Sequence, residues 1–419
     1  MFETRTVSNL YTWQDSRCSP EFLSSLPVPR SHQALATGYG CATLLWFAKY
    51  RTAELSNYDR ASTIHDFFVA MLCGLDRPVM SVQNASAWGY FDTKTKKWNT
   101  DLLSGAGLST DLLPTVVESG QVAGTLPANW YNIPKGTPVM ASLGDLQCSV
   151  LPLLSSPDVA AISISTSAQI CFQLPQSFSP PSAPPSTPQT MEYFPFMGGR
   201  YLSVAASLNG GNALATFVRT LQQWTLDLGC QVPQSKIWER TLALGAACSS
   251  EDDVVGVAAS EGAAVATSVV AEDTASSANT AVAADHDASP SSESRTGGMG
   301  GKETHMLIVP TLFGERHAPG INASATNIHC GNLKLGQVMR SLCKGIVVNI
   351  HSMMPRSVLV EAGVKRLVGG GSALSRNPLL LHEIQVLYQL PVTLDSRGDA
   401  AFGAALAGIQ SMAQEKQTA

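Results

Sequence analysis

Charge is scarce in this sequence, and long apolar runs are absent. Charged residues make up 14% of its 419 residues and the formal net charge is −5, whereas about a quarter of a typical domain is charged. No stripe of Lys and Arg marks a nucleic-acid surface. The longest largely apolar run, residues 41–48, is shorter than the ~20 residues of a membrane helix, and the N-terminus lacks the apolar core of a secretory signal. We therefore expect a cytoplasmic protein with no nucleic-acid or membrane partner.

The spacings typical of metal and disulfide sites are also missing. None of the nine cysteines form a Cys-x-x-Cys pair, and no His-x-x-x-His occurs. The adjacent pair His329 and Cys330 is more often structural than metal-binding. An odd number of scattered cysteines indicates reduced thiols in the cytoplasm. The sequence therefore predicts no protein metal ligands, and the lack of Gly-x-x-x-x-Gly-Lys-Ser/Thr excludes a P-loop.

Two segments differ in composition from the rest. Residues 251–301 contain no Leu, Ile, Phe, Tyr or Trp, and such a stretch cannot bury enough apolar surface to offset its ordering entropy. We expect a disordered insertion there. It holds nine acidic residues and one basic residue, so the remainder carries +3 rather than −5. Residues 175–188 contain six prolines, which predicts an irregular loop.

Elsewhere, strand-like and helix-like segments alternate. Short apolar runs at 136–143, 158–165, 306–310 and 364–368 predict strands. Apolar residues at helical spacing predict helices over 335–353 and over 214–228. This alternation is typical of an α/β architecture.

Asp145 follows the strand predicted at 136–143, after Gly144. Ligands of open α/β sheets bind beyond the carboxyl ends of the strands, where an aspartate can accept a proton from a substrate hydroxyl. The same residue could instead cap the helix that follows, because Asp is a preferred N-cap. The residue pattern alone leaves both roles open.

Two further segments resemble anion-binding loops. Hydroxyl residues cluster at 163–167, and Gly210 and Gly211 open a predicted helix. Backbone N–H groups in tight turns and at helix N-termini can bind phosphate oxygens. By themselves, residues 163–167 fit a plain hairpin turn better, and Gly210 and Gly211 fit a plain loop-to-helix junction equally well.

The last two segments are ambiguous by themselves. Gly369 and Gly371, with Asp395 beyond the next strand, resemble a dinucleotide fingerprint, but Leu374 stands where the third glycine should be. Glu315 and Arg316, within Gly314–Pro319, would usually form a surface or interdomain ion pair of little energetic value.

Taken in order, these segments resemble the FGGY family of carbohydrate kinases. The resemblance extends over almost the whole chain outside 251–301 and is carried by a set of matching sequences. They are Trp-Gln-Asp-x-Arg (13–17), Thr-Ile-His-Asp (63–66), Asn-Ala-Ser (84–86), Gly-Asp-x-Gln (144–147), Ser-Thr-Ser (165–167), Asn-Gly-Gly-Asn (209–212), Gly-Glu-Arg-x-x-Pro (314–319), the glycine loop (369–377) and Asp-Ala-Ala-Phe-Gly (399–403).

The resemblance implies an actin/hexokinase-like (ribonuclease H-like) α/β fold with two domains around a cleft. Residues 1–153 correspond to the remainder of the N-terminal domain and 154–419 to the C-terminal domain. The family's N-terminal Asp-x-Gly-Thr phosphate hairpin has no counterpart in this sequence. The first domain is therefore expected to be truncated at its N-terminus.

The resemblance also implies a function. The matching sequences are most similar to members that phosphorylate sedoheptulose with ATP and Mg²⁺, in a side branch of the pentose phosphate pathway. Asp145 would act as the base, and Asn84 and Gln147 would bind the sugar. Contacts to ATP would come from Thr166, Gly210, Gly211, Gly370, Gly371 and Asn377. The alternatives are a kinase for another ketose or polyol and an inactive form that only binds nucleotide or sugar. The oligomeric state is not determined.

Overall fold

A computed structural model describes residues 7–187, 189–248, 305–318 and 320–418. In this part of the chain the α-helices are α1 Pro20–Ser24, α2 Gly40–Tyr50, α3 Thr52–Leu55, α4 Ile64–Cys73, α5 Val82–Ser86, α6 Thr100–Gly105, α7 Asp145–Val150, α8 Gly211–Asp227, α9 Gln234–Ala246, α10 Leu335–Met353, α11 Arg356–Glu361, α12 Ser372–Arg376, α13 Pro378–Tyr388 and α14 Ala400–Thr418.

The strands of the same residues are short. They are β1 Val79–Ser81, β2 Phe91–Asp92, β3 Lys97–Trp98, β4 Thr115–Val117, β5 Val122–Thr125, β6 Pro138–Met140, β7 Val159–Ile164, β8 Ala168–Gln173, β9 Glu192–Pro195, β10 Tyr201–Ser207, β11 Leu307–Val309, β12 Ser324–Thr326, β13 Arg366–Gly370 and β14 Val392–Leu394. Each strand and helix predicted above is present, with ends that differ by a few residues.

A six-stranded mixed sheet organises the second half of the chain, in the order β14-β13-β7-β8-β10-β9. Strands β14, β13 and β7 are parallel, and β7, β8, β10 and β9 pair antiparallel. Because side chains alternate along a strand, the two faces of β7 enter different clusters. Ala160, Ile162 and Ile164 pack with α8, α10 and α13, and Val159 and Ala161 pack with residues of α7. This sheet is therefore buried on both faces.

The first half of the chain has a separate hydrophobic cluster. It includes Leu45 of α2, Met80 of β1, Leu103 of α6 and Tyr90, which directly precedes β2. All four are at most 2% exposed. Its strands form two-stranded sheets, of which β1 and β4 are a parallel pair. Separate clusters are what a two-domain chain requires. The boundary at residue 153 stays a prediction.

Helix α14, near the C-terminus, packs against α7, the helix that begins at Asp145. At Gly403, a Cβ atom would overlap the carbonyl of Cys148, so only glycine allows the two helices to lie this close. Helix α14 therefore packs against the helix that begins with Asp145, the candidate base.

Three other sequence expectations concern a loop, an insertion and membrane helices. The proline-rich segment forms no helix or strand over 175–187, as expected for a loop. The insertion expected over 251–301 lies outside the described residues. Among the helices of the described ranges, none is long and apolar enough to cross a membrane.

Candidate active site

The turn that carries Asp145 lies between strand β6 and helix α7. Gly144 is the N-cap residue and Asp145 is the first residue of the helix, so the N-cap interpretation of Asp145 is wrong by one position. The Asp145 side chain is exposed, and its Oδ1 accepts a hydrogen bond from the Leu146 N–H at 2.7 Å. The carboxylate is therefore accessible to a substrate hydroxyl, whose proton an aspartate can accept.

A buried polar network holds this turn in place. The Gln83 Oε1 accepts a hydrogen bond from the Gly144 N–H at 3.1 Å, and the Asn84 Nδ2 donates to the Ser142 Oγ at 3.0 Å. Both Asn84 and Ser142 donate to the Asp66 carboxylate. Asp66 is fully buried, and burial raises the pKa of its carboxyl group above the ordinary value despite these hydrogen bonds. Helices α4 and α5 thus support the turn.

Asn84 and Gln147, expected to bind the sugar, are buried. Their exposures are 5% and 6%. The amide nitrogen of Asn84 belongs to the network just described, and the Gln147 Nε2 donates to the carbonyl of Pro195 at 3.3 Å. Both side chains therefore hydrogen-bond to protein groups near Gly144 and Asp145, and their contact with the sugar stays a prediction.

The hydroxyl cluster forms a hairpin tip between β7 and β8. The Gly211 N–H donates to the Ser165 carbonyl at 2.8 Å, and the Asn212 N–H donates to the Thr166 carbonyl at 3.0 Å. These bonds satisfy two of the N–H groups that the sequence led us to expect unpaired at the start of α8. The glycines here serve close packing, since a Cβ at Gly210 or Gly211 would overlap the hairpin backbone.

The glycine loop after β13 reaches the same hairpin. Gly371 has φ +91°, and a Cβ there would overlap the Ile164 carbonyl. The Ser372 N–H donates to the Ser165 Oγ at 3.2 Å. Three loops therefore meet at residues 165–167, where the Thr166 side chain is exposed.

Asn377 closes this loop without facing solvent. It is 4% exposed, and its Oδ1 accepts hydrogen bonds from the N–H groups of Leu379 and Leu380 at the start of α13. Its Nδ2 lies 3.4 Å from the Cys343 Sγ. Asn377 thus caps a helix, and the adenosine contacts expected of Asn377, Gly370 and Gly371 stay predictions.

Glu315 and Arg316 do not form the expected surface or interdomain ion pair with each other. Glu315 is 3% exposed and accepts hydrogen bonds from four groups around the end of β10. Arg316 is exposed, and its guanidinium lies 5.7 Å from the ring centre of Trp13. Burial raises the pKa of Glu192, and the charge of Arg316 opposes that shift. Arg316 thus reaches from the second half of the chain to the first.

Sequence reasoning missed several residues of this site. Asp66 lies in one of the matching motifs with no role predicted for it, although Thr63-x-x-Asp66 is a capping-box pattern and Thr63 does cap α4. Nothing in the sequence indicated Gln83, Ser142 or Asn349, because their partners are distant in sequence. Within the described ranges, no group of three or more His, Cys, Asp or Glu side chains could hold a metal ion.

Comparison with known proteins decides the family. Residues 3–152 match the N-terminal domain of the FGGY family of carbohydrate kinases. The chain is 44% identical over 419 residues to the sedoheptulokinase of Homo sapiens, spanning all of this chain and 76% of that protein. The chain belongs to the FGGY family of carbohydrate kinases. The sedoheptulokinase of Mus musculus is also 44% identical, over 418 residues.

Solved structures of FGGY kinases share the fold. The xylulose kinase of Rhodospirillum rubrum superposes with a TM-score of 0.67 at 15% identity, covering 94% of this chain and 69% of that one. This confirms the actin/hexokinase-like α/β fold expected from the resemblance. As a member of this FGGY family the chain is a carbohydrate phosphotransferase.

Proposed function

We propose that this FGGY kinase transfers the terminal phosphoryl group of ATP to sedoheptulose, giving the 7-phosphate. The observation that carries the proposal is the 44% identity to the human sedoheptulokinase over all 419 residues. The match spans the whole chain, so it covers the segments that carry Asp145, residues 165–167 and Gly371.

Asp145 is the proposed base. Its exposed carboxylate at the start of α7 can accept the proton of the terminal sugar hydroxyl as that oxygen attacks phosphorus. Phosphoryl transfer needs little covalent chemistry from the protein, so positioning contributes most. The network of Gln83, Asn84 and Asp66 supplies that positioning by holding the turn rigid.

The nucleotide is proposed to lie along the hairpin tip. Thr166 would contact the terminal phosphates, with Gly210 and Gly211 beside them, and Gly370 and Gly371 would border the adenosine. Mg²⁺ would arrive bound to ATP and neutralise phosphate charge. Phosphate oxygens and water supply most of the ligands that Mg²⁺ takes in kinases, and we assign the ion no ligand from the protein.

The substrate is tested by ATP consumption with sedoheptulose, xylulose, gluconate and glycerol, with each product identified by mass spectrometry. We expect the highest kcat/KM with sedoheptulose. Faster turnover of another sugar would overturn the substrate assignment. If the chain binds ATP and sugar in calorimetry without turnover, the protein is a binding form and the catalytic proposal fails.

The role of Asp145 is tested by Asp145→Asn. The amide keeps the shape of the side chain but cannot accept the proton, so kcat should fall by about 10²–10⁴-fold. ATP affinity in calorimetry should stay within about twofold of the original, because nothing assigned to the nucleotide is changed. Asp227→Asn, at the end of α8, is the matched control. Unchanged turnover in Asp145→Asn would exclude it as the base.

A further inference from the structure

Glu315 is a buried carboxylate whose surroundings consist of hydrogen-bond donors. Its Oε1 accepts from the Ser207 Oγ at 2.5 Å, the Asn209 Nδ2 at 2.9 Å and the Asn349 Nδ2 at 2.8 Å. Its Oε2 accepts from the Leu208 N–H at 3.2 Å. An ionised carboxylate is an acceptor only, so it matches this set of donors completely.

Three of these donors belong to the segment that leads into α8. Ser207 ends β10, and Leu208 and Asn209 directly precede Gly210 and Gly211. Asn209 is fixed a second time, since its Nδ2 donates to the Gly314 carbonyl at 2.8 Å and its Oδ1 accepts from the Phe313 N–H at 3.1 Å. The turn before α8 is therefore clamped to residues 313–315.

The remaining donor, Asn349, connects residues 313–315 to the hydrophobic core. Asn349 lies on α10, one helical turn after Gly345, and residues four apart share a helix face. A Cβ at Gly345 would overlap the Ile308 carbonyl, so β11 lies directly against this face of α10. A second face of α10, about 100° around the helix, is fully buried through Met339, Ile346 and Ile350. Residues 307–315 are thus attached to a helix that packs into the hydrophobic core.

We propose that Glu315 is a positioning residue for the nucleotide site of this kinase, acting through the turn at 208–211 on the hairpin tip that carries Thr166. The proposal rests on the proposed nucleotide site. The chain of contacts runs from Asn349 to Glu315, then to Leu208 and Asn209, and then through Gly211 to Ser165. Loss of the carboxylate frees the turn and displaces the hairpin, so nucleotide affinity falls while the sugar side is unaffected.

The test compares Glu315→Gln with Glu315→Asp. Gln keeps the length of the side chain but turns one end into a donor that faces other donors, whereas Asp keeps both acceptors and loses one methylene. If hydrogen-bond polarity is what positions the turn, the ATP affinity should follow the order Glu, Asp, Gln. If the site only needs filled volume, Gln should bind better than Asp.

The measurement is calorimetric binding of a non-hydrolysable ATP analogue with Mg²⁺ and, separately, of sedoheptulose. We expect at least tenfold weaker nucleotide binding in Glu315→Gln, with sugar affinity within twofold. Glu361→Gln, an exposed residue at the end of α11, is the control and should change neither. Asn349→Ala removes one donor only and serves if Glu315→Gln does not fold, with an expected two- to fivefold loss for the nucleotide alone.

The outcomes separate this inference from the proposed function. No nucleotide binding by the unaltered protein would defeat the proposed function. Normal binding by the unaltered protein, with unchanged affinity in Glu315→Gln or Asn349→Ala, would overturn the positioning role. Equal losses for nucleotide and sugar would also overturn it, because they indicate general destabilisation.

Discussion

Single residues around the Asp145 turn differ in exposure although they are close in sequence. Asp145 is exposed while Gln147, two residues later on the same helix, is 6% exposed. Successive residues of a helix point in directions about 100° apart, so two positions along a six-residue helix can face solvent and core respectively. The exposed side chain is available for proton transfer, and the buried one stabilises the turn.

Gly371 offers a test at the residue scale. It combines φ +91° with a blocked Cβ position beside Ile164. We expect Gly371→Ala to lower the free energy of unfolding by about 2–5 kcal/mol, from left-handed strain and overpacking together. Denaturant unfolding measures this, and nucleotide affinity should fall as well.

Gly363 is the matched control, since its φ is +84° and its Cβ position is open. Gly363→Ala should cost only the backbone strain, about 1–2 kcal/mol. Equal costs for the two glycines would contradict the close approach of the glycine loop to the hairpin.

At the scale of elements, helix α10 organises the second half of the chain. One face packs on the sheet together with α9 and α13, and the other carries β11 and Asn349. The helical spacing of apolar residues in the sequence predicted the first face. The second face was not predicted, because a glycine and an asparagine four residues apart show no hydrophobic pattern.

Ile346 tests the packing of α10. It is fully buried, whereas Leu335 at the start of the same helix is 36% exposed. Ile346→Ala should lower the free energy of unfolding by about 2–5 kcal/mol through lost burial and the cavity left behind. Leu335→Ala should cost about 1 kcal/mol or less. Chemical denaturation compares them, and similar losses would refute the burial of Ile346.

At the scale of the whole molecule, several contacts join the two halves of the chain. The His32 Nε2 donates to the Tyr193 carbonyl of β9 at 2.7 Å, the Gln147 amide contacts Pro195, and Arg316 lies near Trp13. Of these, the Gln147 contact lies on α7, the helix that begins at Asp145. Closure of the two domains would exclude water from this region during phosphoryl transfer.

His32 makes the stability of the molecule depend on pH. Burial lowers the pKa of His32 below the ordinary value of about 6.5, and the Tyr193 hydrogen bond opposes this only in part. The unfolded chain therefore takes up a proton at a higher pH than the folded chain. As a result, the free energy of unfolding should decrease as pH falls from about 6.5 toward the folded pKa.

Thermal unfolding between pH 7.5 and 5.5 measures this dependence. His32→Gln keeps a donor for Tyr193 but does not titrate, so its stability should fall less over this range. Burial also lowers the pKa of His351, so the slope should decrease without vanishing. Identical profiles for His32→Gln and the unaltered protein would exclude His32 as a source of the dependence.

Much of the fold could be predicted from the sequence. The apolar runs at 158–165 and 364–368 became β7 and β13, and the apolar spacing over 335–353 became α10. The order of short motifs indicated the family, because each one carries residue types that a turn or a phosphate-binding loop needs. The candidate base and the glycine loops were therefore predicted by position.

Only the tertiary structure decided which of these residues are exposed and which are hydrogen-bonded to other protein groups. The resemblance predicts Asn84, Gln147 and Asn377 as ligand contacts, and the structure shows that each one is buried and hydrogen-bonded to protein groups. The sequence predicts a surface or interdomain ion pair for Glu315, which instead joins the turn before α8 to α10. Local patterns determine helices and strands because their periods are short, whereas the partners of a buried polar group come from distant parts of the chain.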